Sequence, residues 1–232
     1  MNTRILRNKV AVLQPSYLPW PGYFNQIIRV SNFVFLDDVQ FDKNGWRNRN
    51  RILLNGNSLW LTVPVYQKNK FKQNLNNVII DYKSNWISKH LNSIKHAYGK
   101  SSHFDEFFSL LESIILEKIE KLSELNIKII IQICDYLGIE VKFFKTSELS
   151  VGSDRNSRLI EICKILECNT YLSGDSAVDY LDLVSFQENS INVEWQNFKP
   201  SSYLNEEVPA SGYFSVIGLI FKYGRESLNY IK

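Results

Sequence analysis

Cysteine is scarce in this chain of 232 residues: Cys134, Cys163 and Cys168 make an odd count with no CxxC spacing. That excludes a disulfide framework and a zinc ribbon, and leaves buried, reduced thiols. Histidine is equally sparse. His90, His96 and His103 share one short segment with no serine or cysteine nucleophile motif beside it. His90 and His96 are six positions apart, which on a helix points them to opposite faces and excludes a shared metal ion. No sign of charge dominates, because Lys+Arg 27 against Asp+Glu 24 leaves a net +3, too little for a DNA-binding or membrane-binding footprint. Long apolar runs are missing as well. Residues 127–133 form the longest, and Lys128 and Gln132 interrupt it. At the start, Arg4, Arg7 and Lys9 precede an apolar run at 10–13 that is too short for a signal-peptide core and has no small-residue cleavage site. A cytoplasmic protein without membrane insertion is expected.

What is present is an ordinary globular balance, 44% hydrophobic and 22% charged, with many rings: Tyr 12, Phe 14, Trp 5. Such rings fill cores or wall a polar pocket. Repeats, low-complexity tracts and long linkers are lacking, so residues 1–232 are read as one domain carrying a helical insert at about 84–138.

The apolar runs 10–13 and 33–36 read as buried strands, and the segment 23–30 between them repeats at helical spacing behind Pro21 at a first-turn position. This is a small βαβ unit. Residues 51–54 and 59–65 about Asn55-Gly56-Asn57 read as a hairpin, because Asn-Gly supplies the positive φ of a tight turn. A further extended run is expected at 77–80. Helices are expected at 86–98, 105–119 and 122–137, the last capped by Gly138. The alternation then resumes with strands at 140–144, 170–172 and 192–195, a helix at 154–166, and a closing helix at 213–231 weakened by Gly218 and Gly224. The fold class is α/β: a Rossmann-like, mostly parallel sheet with flanking helices, a β-hairpin and a helical insert.

In such sheets ligands bind beyond the carboxyl ends of the strands. Residues 14–23 should therefore form one wall of a crevice and residues 37–51 another. The first segment packs three prolines and three aromatics before a helix, so Gln14, Tyr17 and Trp20 are candidate substrate contacts, and the helix start could hold an anion. A rigid buried connection is the competing reading. Asp37 and Asp38 are adjacent, so one of them should be structural and the other free to orient a hydroxyl, bind Mg²⁺ through water or accept a proton. Gln40 shares the side of Asp38 if the strand continues. Lys43, Arg47, Asn48, Arg49, Asn50 and Arg51 crowd donors together, and alternation puts Arg47, Arg49 and Arg51 on one face, suited to a nucleotide or an acidic sugar. A solvated edge would look the same. Arg158 at a helix start and Ser173-Gly174 after a strand are further candidates, or ordinary cap and turn residues.

These segments resemble the WbqC-like family, whose pattern runs approximately HQPNYLPWLGYF, FLDDVQF, NRNRI and WLTVPV. Here they stand at residues 13–24, 35–41, 48–52 and 60–65, and the likeness continues through His90, 97–100, 137–139, 158–160 and 171–174. His90 thereby joins Asp37 and Asp38 as a catalytic candidate. The resemblance implies a transferase of O-antigen or other surface-polysaccharide biosynthesis that places a glycyl group on an amino sugar. Two positions depart: the family's leading His is Leu13, and its SIIDLLFNCG has Gly218 for Asp and Tyr223 for Cys. The strand, Pro-rich loop, helix, strand, Asp order is also similar to nucleotide-binding halves of adenylate-forming enzymes, without their paired histidines. An ATP- and Mg²⁺-dependent acyl adenylate, acyl transfer from coenzyme A or aminoacyl-tRNA, and a non-catalytic nucleotide-sugar-binding scaffold all stay open. The expected partners are an amino sugar or nucleotide sugar and an acyl donor. Oligomeric state, a homo-oligomer included, is open.

Overall fold

The computed structural model describes residues 8–43, 45–66, 72–199 and 213–232. The chain divides into two compact units, one of Met1–Gln14, Asn25–Asp37 and Glu140–Lys199, the other of Pro15–Phe24, Asp38–Ile139 and Pro200–Lys232.

The first unit is built on a five-stranded sheet of β1 (Lys9–Leu13), β2 (Asn32–Phe35), β5 (Lys142–Lys145), β6 (Thr170–Ser173) and β7 (Asn192–Trp195), in the order β5-β2-β1-β6-β7. All four pairings are parallel. The expected α/β class is what forms, with every strand of this sheet parallel. Val10, Val12 and Val34 face Leu159, Ile162 and Cys163 of helix α5 (Arg155–Ile165) and Phe186 of α6 (Leu183–Glu188). Asp154 caps α5 by accepting from Ser157 N–H, as its place in the sequence suggests. The strands carry alternating apolar residues on both faces, which a parallel sheet needs because its crossover helices cover each side. On the second face Phe35 stacks on Phe143 at 5.3 Å. Glu194 on β7 pairs with both Lys9 and Arg29, tying the edge strand to β1 and to the turn that ends the helix between β1 and β2.

That helix, α1 (Pro21–Ile28), begins at the proline, whose fixed φ suits a first turn and whose missing N–H is not needed there. The second unit contains a hairpin of β3 (Arg49–Leu54) and β4 (Asn57–Thr62), and helices α2 (Trp86–Tyr98), α3 (Phe104–Leu116) and α4 (Leu122–Leu137). Asn55 and Gly56 both have positive φ, 50° and 74°, so the turn has two residues and the strands pair from Leu54 against Asn57. Each expected helix of the insert forms, and Gly138 caps α4 in the left-handed region. Phe104 and Phe107 pack on Phe221 of α7 (Ile217–Tyr223).

Three expectations need correction. Residues 77–80 are not a strand: Leu75–Asn77 makes a turn of 3-10 helix, and Ile79 and Ile80 form only isolated bridges. The closing helix breaks at Gly224, whose φ of 55° and ψ of −132° no helix accommodates, leaving α7 and α8 (Leu228–Ile231) joined by 3-10 geometry at Gly224–Ser227. The short helix α6 was not expected, being only six residues long.

Candidate functional site

The hairpin sorts its own sequence. In β3 the period of two sends Asn50 and Ile52 inward, 2% and 0% exposed, and turns Arg49 and Arg51 outward beside Trp60, which is 42% exposed. Arg51 is directly opposite Trp60 on β4. The guanidinium of Arg49 lies 4.4 Å from the centre of the Trp60 ring, and that of Arg51 lies 5.3 Å from it and 5.6 Å from Trp46. The two indoles sit 5.5 Å apart at 33°. Arg51 also stands over Phe214, and its Nη2 donates to the Tyr213 carbonyl. A guanidinium cation is attracted to the negative face of an indole, so both arginines are held against the hairpin's outer rings. The Nε of Arg49 is buried without a hydrogen-bond partner among the described residues. An anion is the group such a donor set binds best.

Beneath this face the Pro-rich loop is held by amide side chains. Asn50 Nδ2 donates to the carbonyls of Tyr17 (3.3 Å) and Leu18 (2.6 Å), while its Oδ1 accepts from Arg51 N–H (2.7 Å). Asn126, fully buried on α4, donates to the carbonyls of Pro15 and Arg47. Tyr17 N–H donates to the Trp46 carbonyl and Val216 N–H to the Pro19 carbonyl. Asn48 Nδ2 donates to the Val63 carbonyl. A loop with so many prolines has few N–H groups and a surplus of carbonyls, and these asparagines supply the donors. They are spent on the backbone, so Asn48 and Asn50 shape the site from behind. Leu18 adopts a left-handed φ of 44° within this grip.

Tyr17 and His90 are both buried, with the Tyr17 hydroxyl 3.0 Å from His90 Nδ1. Burial drives His90 down to about 4, against which a hydrogen bond to the Thr62 backbone pulls the other way. The imidazole is therefore neutral at pH 7, and burial raises the Tyr17 hydroxyl far out of the titrating range. This pair props the loop rather than meeting solvent. Arg47 is mostly buried beside Tyr23, its Nη1 donating to Ser16 Oγ at 3.2 Å, and burial lowers its pKa. It precedes β3 and does not continue the outward row.

Trp20 folds across Gly22: a Cβ there would come within 2.1 Å of the indole. The ring of Trp20 also meets Tyr213 edge-on at 4.8 Å. Gly22→Ala is expected to swing Trp20 outward, costing about 1 kcal/mol because the ring is only part-buried and can move; fluorescence emission shifted to the red would report it, and an unchanged spectrum would refute it. In the same unit Asp38 is half-buried, Gln40 is exposed with its backbone bridged to Asn74, and Lys43 is exposed. At Gly218 a Cβ would stand 3.1 Å from the Tyr98 hydroxyl, which accepts from Leu53 N–H. Tyr98 occupies the room that a larger residue at 218 would need.

The remaining candidates lie in the sheet unit. Asp37, 3% exposed, accepts from Thr146 Oγ1 (3.1 Å), Ser147 N–H (3.0 Å) and Ser147 Oγ (2.6 Å), so both oxygens clamp the chain after β5 to the end of β2. It is the structural member of the acidic pair. Gln14 follows β1. Arg158 is buried, and its Nε donates to the Gly152 carbonyl at 2.7 Å. Ser173 and Gly174 end β6, with Gly174 close against Gln26, whose Nε2 donates to Gln196 Oε1. Among the described residues no three His, Cys, Asp or Glu side chains gather as metal ligands, and no helix is long and apolar enough to cross a membrane.

Several of these residues escape a reading of the sequence. Trp46 and Trp60 are not singled out in the sequence, though Trp60 lies on the same alternating face as the arginines. Asn126, Thr146 and Ser147 carry no local signal, because each acts on chain far away in sequence.

Compared with known proteins, residues 14–230 match the WbqC-like protein family. An uncharacterized protein of Mycobacterium tuberculosis, Rv1507c, is 35% identical over 228 residues, which cover 97% of each chain. No solved structure matches significantly.

Proposed function

Because the chain belongs to the WbqC-like family, we propose that it serves surface-polysaccharide biosynthesis as a transferase placing a glycyl or similar acyl group on an amino sugar. The observation that carries the reading on this chain is the pair of guanidinium groups, Arg49 and Arg51, spread over exposed indole. An activated sugar travels on an anionic carrier, and two arginines fixed on a rigid hairpin are suited to hold it. Asp38 is the carboxylate we assign to the amine proton, since Asp37 is committed to Thr146 and Ser147. The sugar amine attacks the acyl carbon, the new C–N bond forms as the bond from the acyl carbon to its donor breaks, and the amine proton leaves to the carboxylate. A free amino acid would arrive as an acyl adenylate made from ATP with Mg²⁺ and would release AMP; a thioester of coenzyme A or an aminoacyl-tRNA would release its thiol or tRNA hydroxyl.

The burial of His90 and Asp37, two of the three catalytic candidates, favours as a second reading a protein that binds nucleotide sugars without transforming them. Incubation of a nucleotide-linked amino sugar with labelled glycine and ATP, glycyl-coenzyme A or glycyl-tRNA separates the two. The expected result is an acylated sugar, seen by mass spectrometry, with one donor. Binding of the sugar nucleotide with no acylation by any donor selects the second reading. Absence of both overturns the two together.

A further inference from the structure

The hairpin offers more than charge. Trp46 and Trp60 keep 37% and 42% of their surface exposed even with Arg49 and Arg51 laid against Trp60. Exposed tryptophan is costly to maintain on a surface with nothing to cover it, and two tilted indoles 5.5 Å apart form a contiguous ring platform. Beside it lie the guanidinium forks, and Arg49 Nε remains a buried donor with no hydrogen-bond acceptor among the described residues. One ligand chemistry uses both halves at once: a flat heterocycle on the indoles, joined by a short sugar to a diphosphate on the arginines.

We infer that the hairpin face of Trp46, Arg49, Arg51 and Trp60 is a nucleoside-diphosphate site, so that the carrier of the acceptor sugar is a nucleotide and not a polyprenyl chain. The inference rests on the transferase reading only for calling the ligand a sugar carrier; nucleotide binding itself does not depend on it. Phosphate without a base would leave the exposed indole surface uncovered, and a base without phosphate would leave the Arg49 Nε donor without an acceptor. A lipid diphosphate would engage the arginines alone. Stacking of a base on an aromatic side chain contributes affinity of roughly 5- to 150-fold.

Titrations of the full chain, followed by tryptophan fluorescence and calorimetry, test this with uridine and adenosine diphosphates, inorganic pyrophosphate, vesicles containing polyprenyl diphosphate, and single-stranded RNA. A nucleoside diphosphate should quench the fluorescence and bind at least about tenfold more tightly than pyrophosphate. Trp60→Ala should erase that preference, while Trp60→Phe, which keeps a ring on the same strand, should retain part of it. Arg51→Lys should weaken nucleoside diphosphate and pyrophosphate alike, because the ammonium cannot engage two oxygens as a fork. Equal affinity for pyrophosphate, preference for the lipid vesicles, a stronger and steeply salt-dependent hold on RNA, or no binding of any probe would each overturn the assignment. Nucleotide binding without sugar acylation would leave it standing and remove the transferase reading, whereas acylation of a lipid-linked sugar without nucleotide binding would do the reverse.

Discussion

Asn50→Leu is expected to destabilise the protein by about 3–5 kcal/mol. The side chain is 2% exposed, and it satisfies two carbonyls of the Pro-rich loop and the N–H of Arg51. Leucine is close in volume, so the cost is not a cavity. It comes from three backbone groups left in a dry interior, each about 1–3 kcal/mol, partly offset by relaxation. Asn50→Asp keeps the acceptor for Arg51 N–H but turns the two donor contacts into repulsions, so it should be no milder at pH 7. Urea titration measures the loss as a lowered midpoint, and near-ultraviolet circular dichroism should show Trp46 and Trp20 changing environment together. A loss under about 1 kcal/mol would mean that water reaches those carbonyls and that the loop is not held from behind.

The second large effect is on pH dependence. His90 titrates at about 4 in the folded chain, down from 6.5, chiefly because burial penalises its charged form. A histidine with a depressed folded-state pKa favours the native state when it is neutral. Its contribution is complete above 6.5, where neither state takes the proton, and is lost as pH falls from 6.5 toward 4, where the unfolded chain binds a proton that the native one refuses. Stability should therefore fall by roughly 2 kcal/mol between about pH 7 and pH 5, and by about 3 kcal/mol at the full shift. His90→Gln can still meet the Tyr17 hydroxyl but does not titrate, so its stability relative to the wild type should rise by about 2 kcal/mol as pH falls from about 7 to 5. Parallel profiles for the two proteins would show that His90 is not the group responsible.

Much of the site was legible from alternation alone. In the run Asn48-Arg49-Asn50-Arg51 the period of two separates the inward amides from the outward guanidinium groups, and the Asn-Gly turn fixes the register that puts Trp60 opposite Arg51. What alternation could not tell was which face would be wet. The arginines announced the outer face, but the inward asparagines looked equally suited to a substrate until the carbonyl surplus of the loop supplied them with partners. Asp37 and Asp38 illustrate the same limit: adjacency implies opposite directions, yet only Thr146 and Ser147, more than a hundred positions on, determine which of the two is consumed. His90 stood out by resemblance, and burial gives it a supporting place. The strands of the parallel sheet and helices α2 to α4 followed from periodicity, whereas α6 and the 3-10 turns are too short to impose a period of their own.

The bonds that hold the Pro-rich loop also bear on the order in which that unit can assemble. Leu18 is kept in the left-handed region by Asn50, 32 positions away, and the Pro15 carbonyl by Asn126, 111 positions away. None of these partners is a sequence neighbour, so the loop gains nothing from forming early and bears the cost of closing long stretches of chain first. The hairpin and helix α4 must be in place before it locks. In pulse-labelled refolding the amide of Tyr17, which donates to the Trp46 carbonyl, should gain protection after those of β3, and in native-state exchange it should be among the first to open. The hairpin face proposed to meet a ligand would then gain its backing last.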